Sequence, residues 1–131
     1  MLPIRRCSSF LVPLLLAALG TAQSPPPGFV YETLSDGQLL NATAMAFLPD
    51  GGLLITERAT GRIRIYRDGV LQAAPWATVP VGSFSSFVEQ GLLGIAVDPD
   101  YRNNRYVYVY YTEPTLNENR IGRLTEVGGS G

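Results

Sequence analysis

Ala44-Met45-Ala46-Phe47-Leu48-Pro49-Asp50 returns, fifty residues later, as Gly94-Ile95-Ala96-Val97-Asp98-Pro99-Asp100. Each copy runs into a β-rich stretch that ends in Thr-Glu, at Thr56-Glu57 and Thr112-Glu113, and then into Arg-Ile, at Arg62-Ile63 and Arg120-Ile121. The offset between copies is 50 residues at the Pro-Asp, 56 at the Thr-Glu and 58 at the Arg-Ile. The longer turn at residues 101–105 and the loop at residues 114–118 take up the drift. A period of ~40–50 residues with several short strands per unit marks a propeller blade. Rings need roughly four to eight blades, so two units read as the front portion of a longer protein. The second unit breaks off at Gly128-Gly129-Ser130-Gly131, where its last strand is due. The expected fold is all-β: about two four-stranded blades of a β-propeller, the second incomplete.

Within unit one, residues 44–48 read as a short apolar strand, and Pro49-Asp50-Gly51-Gly52 as a turn whose glycines allow positive φ. Residues 53–58 form the second strand, with Ala59-Thr60-Gly61 as its exit. Arg62-Ile63-Arg64-Ile65-Tyr66 alternates strictly, placing Ile63 and Ile65 on one face. After Arg67-Asp68-Gly69, a fourth strand is expected around residues 76–81. In unit two the inner pair is residues 92–97 and 106–111, the latter run having the strongest β propensity in the chain. Tyr106, Tyr108 and Tyr110 share one face, which suits packing against a neighbouring blade or stacking a sugar; at strand spacing the former is the commoner use. Residues 29–40 alternate weakly around Asp36-Gly37 and read as a lone strand feeding the first unit. No stretch after the leader shows a helical period.

The first 22 residues have the pattern of an export signal. Arg5 and Arg6 supply a positive start, residues 10–19 an apolar run, and Gly20-Thr21-Ala22 small residues for cleavage after Ala22. A spanning helix needs ~20 apolar residues, and this run is half that and contains Pro13. Cys7 precedes the apolar run, which argues against a lipid-modified cysteine after the signal. Residues 23–28 read as a short stiff Pro-rich spacer, and residues 29–131 as the propeller portion. The expected localisation is exported, periplasmic or secreted, with no membrane attachment after cleavage. Asn41-Ala42-Thr43 fits the N-glycosylation pattern but carries little weight in a bacterial export product.

Loss of the leader removes the only cysteine, so no disulfide is available. Eight Arg then face eleven Asp and Glu, a mild acidic balance with no basic stripe, which disfavours nucleic acid as a partner. The chain contains no His and no Lys. A Ser-His-Asp triad, a His-ligated metal, a Schiff-base lysine and a cysteine nucleophile are therefore out of reach of these residues alone. No catalytic residue and no metal ligand is assigned, and a neutral-pH general base has to come from beyond Gly131.

One motif points to a ligand. In Phe87-Val88-Glu89-Gln90-Gly91-Leu92-Leu93, Gly91 lets backbone approach closely while Leu92 and Leu93 begin an inner strand. Glu89 and Gln90 thus belong to the loop entering that strand, near the mouth of a propeller's central channel. Glu89 is the first site candidate, and its alternative role is a solvated loop carboxylate or an acceptor for nearby backbone N–H groups.

Residues 87–101, followed by Tyr106-Val107-Tyr108-Val109-Tyr110-Tyr111-Thr112, resemble the glucose/sorbosone dehydrogenase family. Leu53-Leu54-Ile55-Thr56-Glu57-Arg58, Gly61-Arg62-Ile63-Arg64 and Asn119-Arg120-Ile121 are similar to the same family's first two blades, so the resemblance covers residues 29–124. It implies an exported six-bladed propeller that oxidises an aldose at the anomeric carbon with pyrroloquinoline quinone (PQQ) and Ca²⁺. The resemblance also implies that Glu89 and Gln90 contact the cofactor, and that the general base and Ca²⁺ ligands lie after residue 124. The best-known quinone-dependent members carry Gln where this chain has Glu89. A carboxylate there repels a carboxylate-bearing cofactor unless an Arg or a cation lies between them. Two other readings remain open: a non-catalytic secreted propeller binding a protein or glycan, and a lactonase-type propeller with a central Ca²⁺. The sequence leaves the oligomeric state open.

Overall fold

The computed structural model describes residues 24–82, 89–116 and 118–128. The expected signal segment, residues 1–22, lies outside the described residues. The chain divides into a unit of residues 1–31 and a unit of residues 32–131. In the first, the described part is an exposed turn closed by the Phe29 amide donating to the Pro26 carbonyl at 3.1 Å. All strands among the described residues belong to the second unit. Among the described residues no helix is long and apolar enough to cross a membrane.

Two antiparallel sheets follow one another along the chain as successive blades. The first contains β1 (Ala42–Phe47), β2 (Leu53–Glu57), β3 (Arg62–Arg67), β4 (Val70–Leu71) and β5 (Ala77–Thr78). Their order is β1-β2-β3-β4, with β5 also pairing β3. The second contains β6 (Leu92–Val97), β7 (Tyr106–Thr112) and β8 (Asn119–Thr125), in that order. A one-turn helix, α1 (Tyr101–Asn104), stands in the turn between β6 and β7.

Three expectations need correction. Residues 29–41 form no strand, because Gly37 at φ +64° and Asn41 at φ +53° bend the segment out of extended geometry. The fourth position of the first blade is divided. β4 pairs one end of β3 through Tyr66↔Leu71, and β5 the other through Ile63↔Ala77. The break falls where Ala73-Ala74-Pro75 interrupts the run, since proline has no N–H to give a ladder. Beyond the strand proper, Trp76 N donates to Ile63 O and Val79 N to Gly61 O, so the edge continues as far as residue 79. Finally, the turn after Pro99-Asp100 winds into α1, which ends at Arg105 in the left-handed region, φ +60°.

The core lies between the two sheets. Leu54, Ile63 and Ile65 of the first meet Leu92, Val107 and Val109 of the second, all essentially removed from solvent. Thus Val107 and Val109 carry the buried face of β7, and the Tyr106, Tyr108 and Tyr110 stripe lies on the other side. There the Arg123 guanidinium stands 4.2 Å from the Tyr106 ring centre, and the Tyr108 hydroxyl donates to Asp98 Oδ2 at 2.9 Å. No described sheet packs on that stripe. Among the described residues the buried aromatic ring is Tyr101 of α1, whose hydroxyl donates to Glu126 Oε2 at 2.6 Å. Glu126 Oε1 in turn accepts the Trp76 indole N–H at 3.3 Å, which joins the outer edges of the two blades.

Strand register tests the repeat residue by residue. β1 pairs Ala42↔Glu57 and then Ala44↔Thr56, leaving Thr43 as a bulge; β6 pairs Leu92↔Tyr111 and then Gly94↔Tyr110, leaving Leu93. The two bulges are 50 residues apart, the offset of the Pro-Asp phrase. Ile63 lies opposite Thr56 and Ile121 opposite Tyr110, so the Arg-Ile offset of 58 also holds. The Thr-Glu match does not. The ladder sets Thr56 against the place of Tyr110, an offset of 54, and Thr112 lies two residues farther along the longer strand β7.

Candidate functional site

The polar corner at the entry of β6 is assembled from three chain segments. β2 ends there at Glu57 and Arg58 follows; β1 begins there after Asn41; and the second sheet begins there at Gly91-Leu92. Main-chain bonds fix them to one another. Arg58 N donates to Asn41 O at 3.1 Å, and Leu92 N donates to Arg58 O at 2.9 Å. The Thr43 hydroxyl donates to Leu92 O at 2.8 Å, bringing the two inner strands side by side.

Gly91 is required here. Its φ is +114°, and a Cβ on it would collide with the Arg58 carbonyl oxygen and crowd the Arg58 side-chain stem. Its other partner is buried Thr112: Gly91 N donates to Thr112 Oγ1 at 3.2 Å, and Thr112 N donates to Gly91 O at 2.9 Å. The close approach expected of this glycine is therefore to Arg58. Glu89 stands exposed in a turn and Gln90 is half-buried, both immediately before this anchored glycine. The structure thus brings the two candidate residues to the start of an inner strand, beside Arg58.

Beneath the corner lies a carboxylate to which sequence reasoning gave no role. Glu57 is completely buried. Its Oε1 accepts Leu40 N at 3.2 Å and Arg64 Nη1 at 3.3 Å, and its Oε2 accepts the Thr60 hydroxyl at 2.8 Å. Arg64, 11% exposed, also donates to Gln72 O at 2.8 Å and Gln38 O at 3.4 Å. A buried charge persists when paired and hydrogen-bonded, and this one has both. The repeated Thr-Glu was the available signal, but it marked a strand end without showing burial. At the end of β7, Glu113 accepts the backbone N–H groups of Leu116 and Thr115, and the first of these chiefly holds its carboxyl below the usual range. The corner accordingly carries the Glu113 carboxylate held below its ordinary range, and Arg58 contributes a guanidinium.

The opposite ends of the inner strands hold a separate polar cleft of about 320 Å³, lined by Pro49, Asp50, Tyr101, Arg102 and Arg105. Asp98 lies close by in sequence; Asn104, the Asp100 backbone and the Tyr108 hydroxyl hydrogen-bond its carboxylate and lower its pKa. Among the described residues no group of three or more His, Cys, Asp or Glu is arranged to hold a metal ion.

Residues 39–129 match the family described as Glucose / Sorbosone dehydrogenase. The aldose sugar dehydrogenase YliI of Escherichia coli K12 is 34% identical over 111 residues, covering 84% of this chain and 29% of that protein. The quinoprotein glucose dehydrogenase B of Acinetobacter calcoaceticus is 35% identical over 66 residues, covering 50% and 14%. Among solved structures, the PQQ-bound form of the aldose sugar dehydrogenase of Streptomyces coelicolor superposes with a TM-score of 0.62 at 36% identity, covering 72% of this chain and 27% of that one. The chain thus spans less than a third of the length of each of these relatives.

Proposed function

The chain belongs to the glucose/sorbosone dehydrogenase family, and we propose on that premise that it forms the first blades of an exported, PQQ-dependent dehydrogenase oxidising an aldose at the anomeric carbon. The observation that carries the reading is the corner at β6, where Glu89 and Gln90 precede a glycine locked onto Arg58.

The residues present partly fit the cofactor. The Gln90 amide can donate to a carbonyl or carboxylate oxygen and accept from a hydroxyl. Glu89 would repel a carboxylate-bearing quinone, and Arg58, whose stem runs along Gly91, places a compensating cation at the same corner. The described residues offer no cage for Ca²⁺, so no step is assigned to it. When bound, the quinone supplies a two-electron acceptor for the hydride leaving the anomeric carbon. This chain's share is to bind and orient. A fixed rim of polar side chains holds the reacting groups in register, which is where much of a rate enhancement originates. The chain has neither His nor Lys, and the base that removes the hydroxyl proton is expected after residue 131.

The test uses the full-length protein, produced with its leader. Periplasmic or extracellular recovery, PQQ-dependent dye reduction by an aldose and release of the corresponding lactone are the expected results. A folded protein that takes up PQQ neither with nor without Ca²⁺ would overturn the reading.

A further inference from the structure

We infer that the buried Glu57–Arg64 pair is a positioning device for the β6 corner, setting the level at which Glu89 and Gln90 are presented. The pair holds residues 38–41 as a strap across the end of the first blade. Glu57 Oε1 accepts from Leu40 N, while Arg64 Nη1 donates to Gln38 O. The strap's next residue is Asn41 at φ +53°, a left-handed turn that asparagine adopts with little strain and that aims its carbonyl at Arg58 N. Asn41 O receives Arg58 N, Arg58 O receives Leu92 N, and Gly91 has no room to slide because Arg58 O fills its Cβ position.

A continuous set of contacts therefore runs from the buried charges to the two residues at the channel end. The charges lie on the far side of the first sheet from the interface core, so they can be altered without opening that core. Arg64 also donates to Gln72 O in the outer edge, which ties the strap, the second strand and the outer edge to one guanidinium. Glu57 and Arg64 are positioning residues and need touch no ligand.

The experiment has one arm independent of the proposed function and one that rests on it, both in the full-length protein. Amide hydrogen exchange is followed in Glu57→Gln, which keeps the shape and removes the charge. Expected is roughly tenfold or greater acceleration at Arg58 and Leu92, with Val107 and Val109 in β7 unchanged. Thr60→Val, which removes only the 2.8 Å hydroxyl donor, gives the same pattern at smaller size and serves if Glu57→Gln does not fold. Equal acceleration at all four amides would make the pair an ordinary stabilising contact and overturn the inference, as would no acceleration. In the second arm, PQQ titrated into the same variants dissociates several-fold more readily, with turnover at saturating cofactor unchanged. Unchanged affinity overturns the inference; absence of PQQ binding by the wild type overturns only the functional reading, and hydrogen exchange still decides the role of the pair.

Discussion

The Tyr101 hydroxyl lies 2.6 Å from Glu126 Oε2, inside the joint between the two blades. Burial, and then the neighbouring carboxylate, push the phenol up to about 12 from an ordinary value of 10.0. The folded chain therefore keeps a proton that the unfolded chain releases. Between about pH 10 and 12 the native state binds more protons, so stability falls as pH rises through that window. Tyr108, raised chiefly by its hydrogen bond to Asp98, acts in the same direction. Urea midpoints measured across alkaline pH should decline in the wild type and decline less in Tyr101→Phe. Parallel curves would refute the assignment.

Gly91→Ala should cost roughly 2 kcal/mol or more, since it combines positive φ with a collision against the Arg58 carbonyl. Gly69→Ala is the control: it has φ +77° but open space around the missing Cβ. Only the conformational penalty of about 1 kcal/mol applies there. Chemical denaturation of the two variants should rank them in that order.

Truncating Leu54 or Ile63 to Ala removes a fully buried side chain from between the blades and should cost about 2–5 kcal/mol. Thermal melts of the full-length protein would read the loss directly.

Glu89→Gln tests the corner directly. If the carboxylate repels the quinone, its removal strengthens PQQ binding by ~1 kcal/mol at an effective dielectric near 20. If Glu89 holds a cation beside the cofactor, the same change weakens binding. One titration gives the sign, and no change would withdraw Glu89 as a ligand-contacting residue.

Produced alone, residues 23–131 should show no aldose turnover with PQQ and Ca²⁺, and should self-associate. Strand β8 presents an edge unpaired by any described residue, beside exposed Ile121 and the tyrosine stripe. Such an edge is a template for another chain. Sedimentation of a clean monomer with a sharp cooperative melt would contradict this.

The repeat was legible because two of its landmarks coincide with features the backbone must satisfy. The Pro-Asp phrase sits where each inner strand ends, and Arg-Ile starts a strand whose alternation places Ile63 in the core. Thr-Glu misled because identical residue types occupy different ladder positions, and pairing depends on register, which composition does not show. Tyrosines 106, 108 and 110 share one face, but strand periodicity alone does not say which face is covered. Burial of Glu57 depends on Arg64, seven residues away, and on main-chain atoms of residues 38–41, contacts without a sequence pattern of their own.

The paired bulges at Thr43 and Leu93 bear on how such a protein diversifies. Each inner strand is bent at the same depth, whereas the turns beyond differ: five residues with two glycines in one blade, a helical turn in the other. A longer turn on that side changes the chain length beyond the strand end without moving the bulge, so the bend of each inner strand stays at the same register.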